Sequence, residues 1–167
     1  MSGHDPIRIV DYAPRWRADF ARLNLDWLER HFTVEAIDRD VLLDPENHIL
    51  AGGGHILLAI DGDDVAVGTV ALKLDSAGVY ELTKMAVDPA RQGGGIGRRL
   101  MMGAIAAFER LGGRELFLES NRKLAPALHL YESVGFEHQP APRPGSHYAR
   151  SDVYMIWRAS AHSDRMG

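Results

Sequence analysis

The segment KMAVDPARQGGGIGRRLMMGAIAAFERLG, Lys84 to Gly112, constrains the fold more than any other part of the chain. It passes from an apolar alternation through a glycine cluster into a long amphipathic pattern. A period of two followed by a period of 3.6 predicts a strand feeding a helix, the helix running from about Gly95 to Leu111. Gln92-Gly93-Gly94-Gly95-Ile96-Gly97 at the junction leaves successive backbone N–H groups bare at a helix N-terminus, where the helix dipole adds positive potential. Such a nest suits a pyrophosphate. A flexible strand-to-helix turn is equally consistent with the spacing. Two common glycine signatures fail here. No lysine follows the glycines, as a P-loop requires, and a G-x-G-x-x-G frame started at Gly93 or Gly95 ends on Arg98 or Leu100.

The rest of the chain arranges itself around this junction. Ile7 to Val10 reads as a short strand, and Pro14 fits the first turn of a helix. Trp16, Phe20, Leu23, Trp27 and Leu28 then recur at steps of three and four, giving one apolar face to about His31. A second, shorter helix is expected from Asp38, and Asp44 to His55 is expected to be loop. Asp61-Gly62-Asp63-Asp64 marks a hairpin between two strands, and Val79 to Val87 is a third strand of the same meander. Arg114 to Ser120 reads as a strand, and LAPALHLYESVG as a helix closed by Gly135. Ser151 to Ala159 is the last strand, with one more short strand to be placed at FEHQ. The order βααβββαβαβ predicts an α/β (α+β) chain with a mixed, mostly antiparallel sheet flanked by about four helices. With no linker or repeat, residues 1–160 are expected to form a single domain and 161–167 a flexible tail.

Composition narrows the function classes. A length of 167 residues with 46% hydrophobic and 25% charged residues suits one globular domain. A net charge of −4 disfavours a general nucleic-acid binder. The absence of cysteine excludes disulfides, zinc thiolate sites and cysteine nucleophiles. His129 and His138 have no partner at metal-binding spacing, so no metal is expected. No run approaches the ~18 apolar residues of a membrane span, and MSGHDPIRIV lacks the pattern of a signal peptide. These readings predict a soluble, cytoplasmic protein without membrane or nucleic-acid partners.

MAVDPARQGGGIGRRLM resembles the acyl-CoA loop of the GNAT (GCN5-related N-acetyltransferase) superfamily, with Gln92, Gly95 and Gly97 filling its Gln/Arg-x-x-Gly-x-Gly/Ala pattern. Met85, Val87 and Pro89 match the usual lead-in. NRKLAPALHLYESVGF resembles the second signature, through Asn121, Tyr131 and Gly135-Phe136. The stretch from Leu118 to Phe136 is similar to GNAT domains fused to MarR-type regulators, although no DNA-binding module is present. Gly94 departs from the pattern, since many members carry a basic residue there. The resemblance covers most of the chain. It implies splayed central strands, with acetyl-CoA as co-substrate lying between them and a bulge in the first strand causing the splay.

The resemblance also implies roles for particular residues. Backbone N–H groups of Met85, Ala86 and Val87 would bind the pantetheine arm and polarise the thioester carbonyl. Gln92, Gly93, Gly94, Gly95, Ile96, Gly97 and Arg98 would take the pyrophosphate, and Asn121 the pantetheine arm or an ordered water. Arg98 and Arg99 are also ordinary residues for a helix surface, and Asn121 is also suited to capping the approach to a helix. Tyr131 is the general-acid candidate for the leaving thiolate. It shares a helix face with apolar residues, so a plain core role stays open. Glu81 is the base candidate, with Val79, Glu81, Thr83, Met85 and Val87 expected on one strand face. Glu119, or no carboxylate at all, is the competing assignment, as is a plain surface role for Glu81. The acids from Asp38 to Asp44 read best as a solvated helix face.

Two functions follow from these residues. One is an N-acetyltransferase acting on a primary amine of a small molecule or peptide by direct attack in a ternary complex. The other is an acyl-CoA-binding sensor or structural module without turnover. The arm from Thr33 to His55 and the loop from Gln139 to Ser151 should shape the acceptor pocket, and neither identifies the amine. Acyl-chain preference is not legible, nor is the oligomeric state, for which a homodimer is one option.

Overall fold

A computed structural model describes residues 6–146 and 150–158. The expected tail after Ser160 lies outside them. The strands are β1 (Arg8–Asp11), β2 (His55–Ile60), β3 (Ala66–Ser76), β4 (Val79–Val87), β5 (Glu115–Ser120), β6 (Phe136–His138) and β7 (Val153–Trp157). They form one sheet in the order β1-β2-β3-β4-β5-β7-β6. Every neighbouring pair is antiparallel except β4 and β5. The α-helices are α1 (Arg17–His31), α2 (Ala36–Leu43), α3 (Ile96–Arg110) and α4 (Ala125–Ser133).

The expected mixed sheet and four helices are present. Two boundaries differ from expectation for local reasons. Helix α2 starts at Ala36, two residues early, because Glu35 and Asp38 form a reciprocal capping box. The stretch expected to be loop after Asp44 contains a π-helical turn, Glu46–Leu50, which buries Ile49 against the sheet. Glu46 accepts hydrogen bonds from Arg17 and from the Tyr12 hydroxyl, tying this turn to the start of α1.

The sheet separates two apolar layers. On one face Ile96, Leu100, Met101, Ala104, Ile105 and Phe108 of α3 pack on Leu57, Val70, Tyr80, Leu82 and Leu118. Their helical spacing is what made α3 legible, and each of the larger side chains contributes about 2 kcal/mol on burial. Gly68 lets α3 lie close: a Cβ there would be 3.0 Å from Leu100 Cδ1. On the other face Trp16, Phe20, Leu23 and Leu28 of the α1 region join Val41, Leu42, Ile56 and Leu58.

Strands β4 and β5 pair only at Val79–Glu115, Tyr80–Leu116 and Glu81–Phe117. Past those three pairs they part. The cause is a bulge in β4. Thr69 of β3 faces Ala86 and Ala71 faces Thr83, so three steps of β4 oppose two of β3. Lys84 takes up the extra residue with φ at +54°, rare outside glycine.

Candidate active site

The bulge revises the face assignments expected for β4. Before it, Tyr80 and Leu82 point to the α3 layer and Val79 and Glu81 to the other. After it, Met85 and Val87 pack on the α3 layer and Ala86 on the α1 layer. Glu81 therefore does not share a face with Met85 and Val87. A strict period of two fails wherever a residue is inserted.

The gap between β4 and β5 opens into two cavities. The larger, about 500 Å³, is lined by Met85, Ala86, Val87, Gln92, Gly93, Gly95, Ile96, Gly97 and Arg98, and on its other wall by α4. Gly93 and Gly95 have φ of +87° and +80°, which L side chains rarely adopt. A Cβ on either would meet nothing within 4 Å, so their surroundings are open. Gly95 is the N-cap of α3, and the first turn's N–H groups face out of the helix end. Gln92 donates to the Val87 carbonyl and braces the loop. Arg98 donates to Ser133 of α4, bridging the two walls. Gly94 is not among the lining residues. Trp27 and His31 of α1 also line this cavity, their rings 5.0 Å apart, although helical periodicity marks Trp27 only as core.

The smaller cavity, about 100 Å³, is lined by Trp27, Phe32, Glu81, Lys84, Met85, Glu119, Ser120, Asn121, Tyr131 and Arg150, among others. Tyr131, Met85, Trp27 and Leu124 line both cavities, so the two meet there. Tyr131 packs its ring on Phe136 at 6.4 Å within the α3 layer. Core packing and access to the site are thus properties of the same side chain. Burial pushes its phenol up to about 12, against a hydrogen bond with Ser120. It is a proton-bearing donor across the physiological range.

Asn121 lines the smaller cavity rather than the larger. Its amide donates to the Arg150 carbonyl and its oxygen accepts from Lys123 N–H, so it braces the turn into α4. Glu81 is part-buried. Burial first, then the Glu119 carboxylate, push it up to about 7, opposed by Lys84, Lys73 and Arg143. Burial brings Lys84 down to about 8, opposed by Asp38 and Glu81.

The solvated-face reading of the α2 acids holds for the exposed Asp40 but fails for Asp38. Asp38 is fully buried. Arg150 grips it through both guanidinium branches at 2.8 and 3.0 Å and reaches Glu35 at 2.9 Å. Lys84 Nζ is 3.8 Å from the same carboxylate. Burial pushes Asp38 up, but Arg150, the Glu35 N–H and Lys84 outweigh it and hold the carboxyl below its ordinary value. Phe32 lies beneath both Arg150 and Lys123, at 5.6 and 4.1 Å from their charged groups. Among the described residues no cluster of three or more His, Cys, Asp or Glu is arranged to hold a metal. No helix among them is long and apolar enough to cross a membrane.

Comparison with known proteins places this arrangement. An uncharacterised N-acetyltransferase of Schizosaccharomyces pombe is 30% identical over 134 residues, 74% of this chain and 82% of that protein. Three other curated relatives are matched over 27%, 61% and 49% of their own length. A GNAT-family acetyltransferase structure from Staphylococcus aureus superposes with a TM-score of 0.81 at 21% identity, over 90% of this chain and 98% of that one. The yncA structure of Salmonella typhimurium, solved with its cofactor acetyl-CoA, superposes with a TM-score of 0.67 at 21% identity, over 90% and 91%. At such identities these structures speak for the fold alone. The model of the acetyltransferase (GNAT) family matches residues 15–136, and by that match the chain belongs to the GNAT acetyltransferase family.

Proposed function

We propose that this chain is an acyl-CoA-dependent N-acyltransferase, moving acetyl from acetyl-CoA to a primary amine of a small molecule or peptide in a ternary complex. The observation that carries this reading is the shared wall of the two cavities. Tyr131 and Met85 stand where a ligand in the larger cavity would meet one in the smaller. The positive-φ glycines at the N-terminus of α3 fit a pyrophosphate, because a Cβ on Gly93 or Gly95 would meet nothing within 4 Å and their N–H groups stay open to a ligand. The acetyl-CoA bound by the Salmonella neighbour supports the same assignment.

The residues divide the chemistry between them. The acceptor nitrogen attacks the thioester carbonyl, the C–N bond forms and the C–S bond breaks. Past the bulge, strand alternation turns the backbone N–H groups of Met85 and Val87 toward β5, where no register pair meets them, and makes them available to the carbonyl oxygen. Glu81 takes the proton the amine loses, with an affinity near neutrality that suits a base. Tyr131 donates a hydrogen bond to the departing sulfur. Full proton transfer from a phenol at about 12 to a thiolate whose thiol sits near 8.5 would be uphill by roughly 5 kcal/mol. Hydrogen-bond stabilisation is therefore the role assigned to Tyr131. The expected location of the reaction is the cytoplasm, within the single domain of residues 1–160.

The test sets acetyl-CoA binding by calorimetry beside CoA thiol release with a panel of small amines and peptides. Thiol release with at least one amine is expected. Binding without release across the panel would instead make the chain an acyl-CoA-binding module.

A further inference from the structure

Four cationic side chains surround a site read as accepting an amine, and acyl transfer alone does not account for them. Lys84 and Arg150 line the inner cavity beside Tyr131. Lys73 and Arg143 line an outer cavity of about 180 Å³ with Asp75 and Ser146. Glu81 and Glu119 line both, so the two cavities share a carboxylate wall. The inner cations are met within the protein, where Arg150 pairs with Asp38 and Glu35 and Lys84 lies near Asp38.

The outer pair is placed differently. Lys73 is the register partner of Glu81 across β3 and β4, which sets their Cβ atoms about 5 Å apart on one face. Phe117 is the register partner of Glu81 on the β5 side. The Arg143 guanidinium lies 4.0 Å over the Phe117 ring and is fixed there by Asp75 at 2.9 Å. Glu81 is thus the centre of a row with a cation on each flank. Lys73 is part-buried, and among the described residues it makes no hydrogen bond or ion pair. A half-buried ammonium so placed gains from an anion brought within contact distance. Asp75 is already engaged with Arg143, and Glu119 belongs to the wall that faces the amine.

We propose that the acceptor is an amine carrying an acidic group a few bonds from its nitrogen, with the nitrogen at Glu81 and Glu119 and the acid on Lys73 and Arg143. This rests on the acyl-transfer reading of the site. With the two side chains rooted about 5 Å apart, an amine whose acid lies about two to four carbons away, at about 1.5 Å per bond, is short enough to engage both heads at once. A diamine of that length would press its second ammonium against the same two cations. Lys73 and Arg143 are then specificity-determining residues, remote from the thioester.

The experiment measures binding to the CoA-loaded protein by calorimetry, so that recognition is read without turnover. The probes are amino acids of two to four carbons, alkylamines of the same lengths and diamines of the same lengths. Acid-bearing amines should bind at least tenfold tighter than the alkylamines, with diamines weakest. Lys73→Met should erase that advantage and Lys73→Glu should turn the preference toward diamines, both with acetyl-CoA affinity unchanged as the check on folding. Equal or tighter binding of alkylamines or diamines overturns the proposal. So does a preference for acid-bearing amines that survives Lys73→Met, or failure of every acid-bearing amine to bind. CoA thiol release is scored separately. Tight binding of acid-bearing amines without release sustains the recognition and removes the acyl-transfer reading instead.

Discussion

The two cavities that meet at Tyr131 are built from different materials. The larger presents main chain along one wall, the uncovered strand edge of Met85–Val87 and the open glycines before α3, opposite the side chains of α4 and α1. The smaller is walled by charged side chains, Glu81, Lys84, Glu119 and Arg150, drawn from two strands and a loop. Main chain offers the same N–H groups whatever the side chains are, so it suits a ligand part that never changes. Charged side chains can be exchanged one at a time, so they suit the partner that differs between relatives. Substitutions in the two cavities should therefore separate into effects on acetyl-CoA and effects on the acceptor.

The largest expected effect lies at the boundary, where the separation should break down. Tyr131→Phe keeps the ring on Phe136 and removes the hydroxyl. Single-turnover and steady-state assays should show kcat lower by ~10- to 1,000-fold, with acetyl-CoA affinity little changed. If only thermal stability moves, Tyr131 is a core residue and the two cavities do not share a reacting group.

Next comes the side-chain cavity. Arg150→Leu strips the fully buried Asp38 of its two-pronged partner. Breaking such a pair costs about 3 kcal/mol, which calorimetry should register as a melting temperature lower by roughly 10 °C. The acceptor KM should rise while acetyl-CoA affinity holds, and a matched loss of both would erase the contrast.

The main-chain cavity gives a smaller, one-sided effect. Gly95→Val forces a β-branched residue to φ of +80° and places it where the ligand approaches. Acetyl-CoA affinity should fall at least tenfold, about 1.4 kcal/mol, with the fold kept. Unchanged affinity would mean that the glycines are only a flexible turn.

The finest test is a displacement along the pH axis. With Glu81 acting as base in its ionised form, kcat/KM should rise through about pH 7, and Glu81→Gln should flatten that limb. The Glu119 charge makes ionisation of Glu81 harder, so Glu119→Gln should move the limb to lower pH. Lys84 makes it easier, so Lys84→Met should move it to higher pH. If neither moves the limb, Glu81 is not the group being titrated.

How much of this was legible in the sequence follows the same division. The main-chain wall of the larger cavity is contiguous, and its glycines and the helix after them are neighbours in the chain. Periodicity and one short motif therefore located it, together with the strand order. The charged cavity takes Glu81, Lys84, Glu119 and Arg150, with Glu35 and Asp38 paired to Arg150 behind it, from across more than a hundred residues, and no local spacing marks such a set. Asp38 read as solvated because its helix is short and acidic, while its partner Arg150 lies 112 positions away. The β4 faces were misjudged past Lys84 because an inserted residue leaves no mark in a run such as ELTKMAV. Against its cost, a left-handed lysine, stands the attraction of Lys84 to the Asp38 carboxylate.

The three register pairs between β4 and β5 also make the sheet a hinge. One leaf is β1 to β4 and the other β5, β7 and β6, joined at one end of the seam and open at the other. On the α3 side a continuous apolar layer rivets the leaves together, with Leu57 and Leu72 of the first and Leu116 and Met155 of the second in a single cluster. On the other face Val79 of the first leaf packs on Phe117 and Ile156 of the second at the closed end of the seam. A molecule wedged into the gap replaces the missing rungs, so it should stiffen both leaves at once. Amide exchange at residues 82–87 and 118–120 would then slow together on ligand binding, although the two segments share no hydrogen bond of their own.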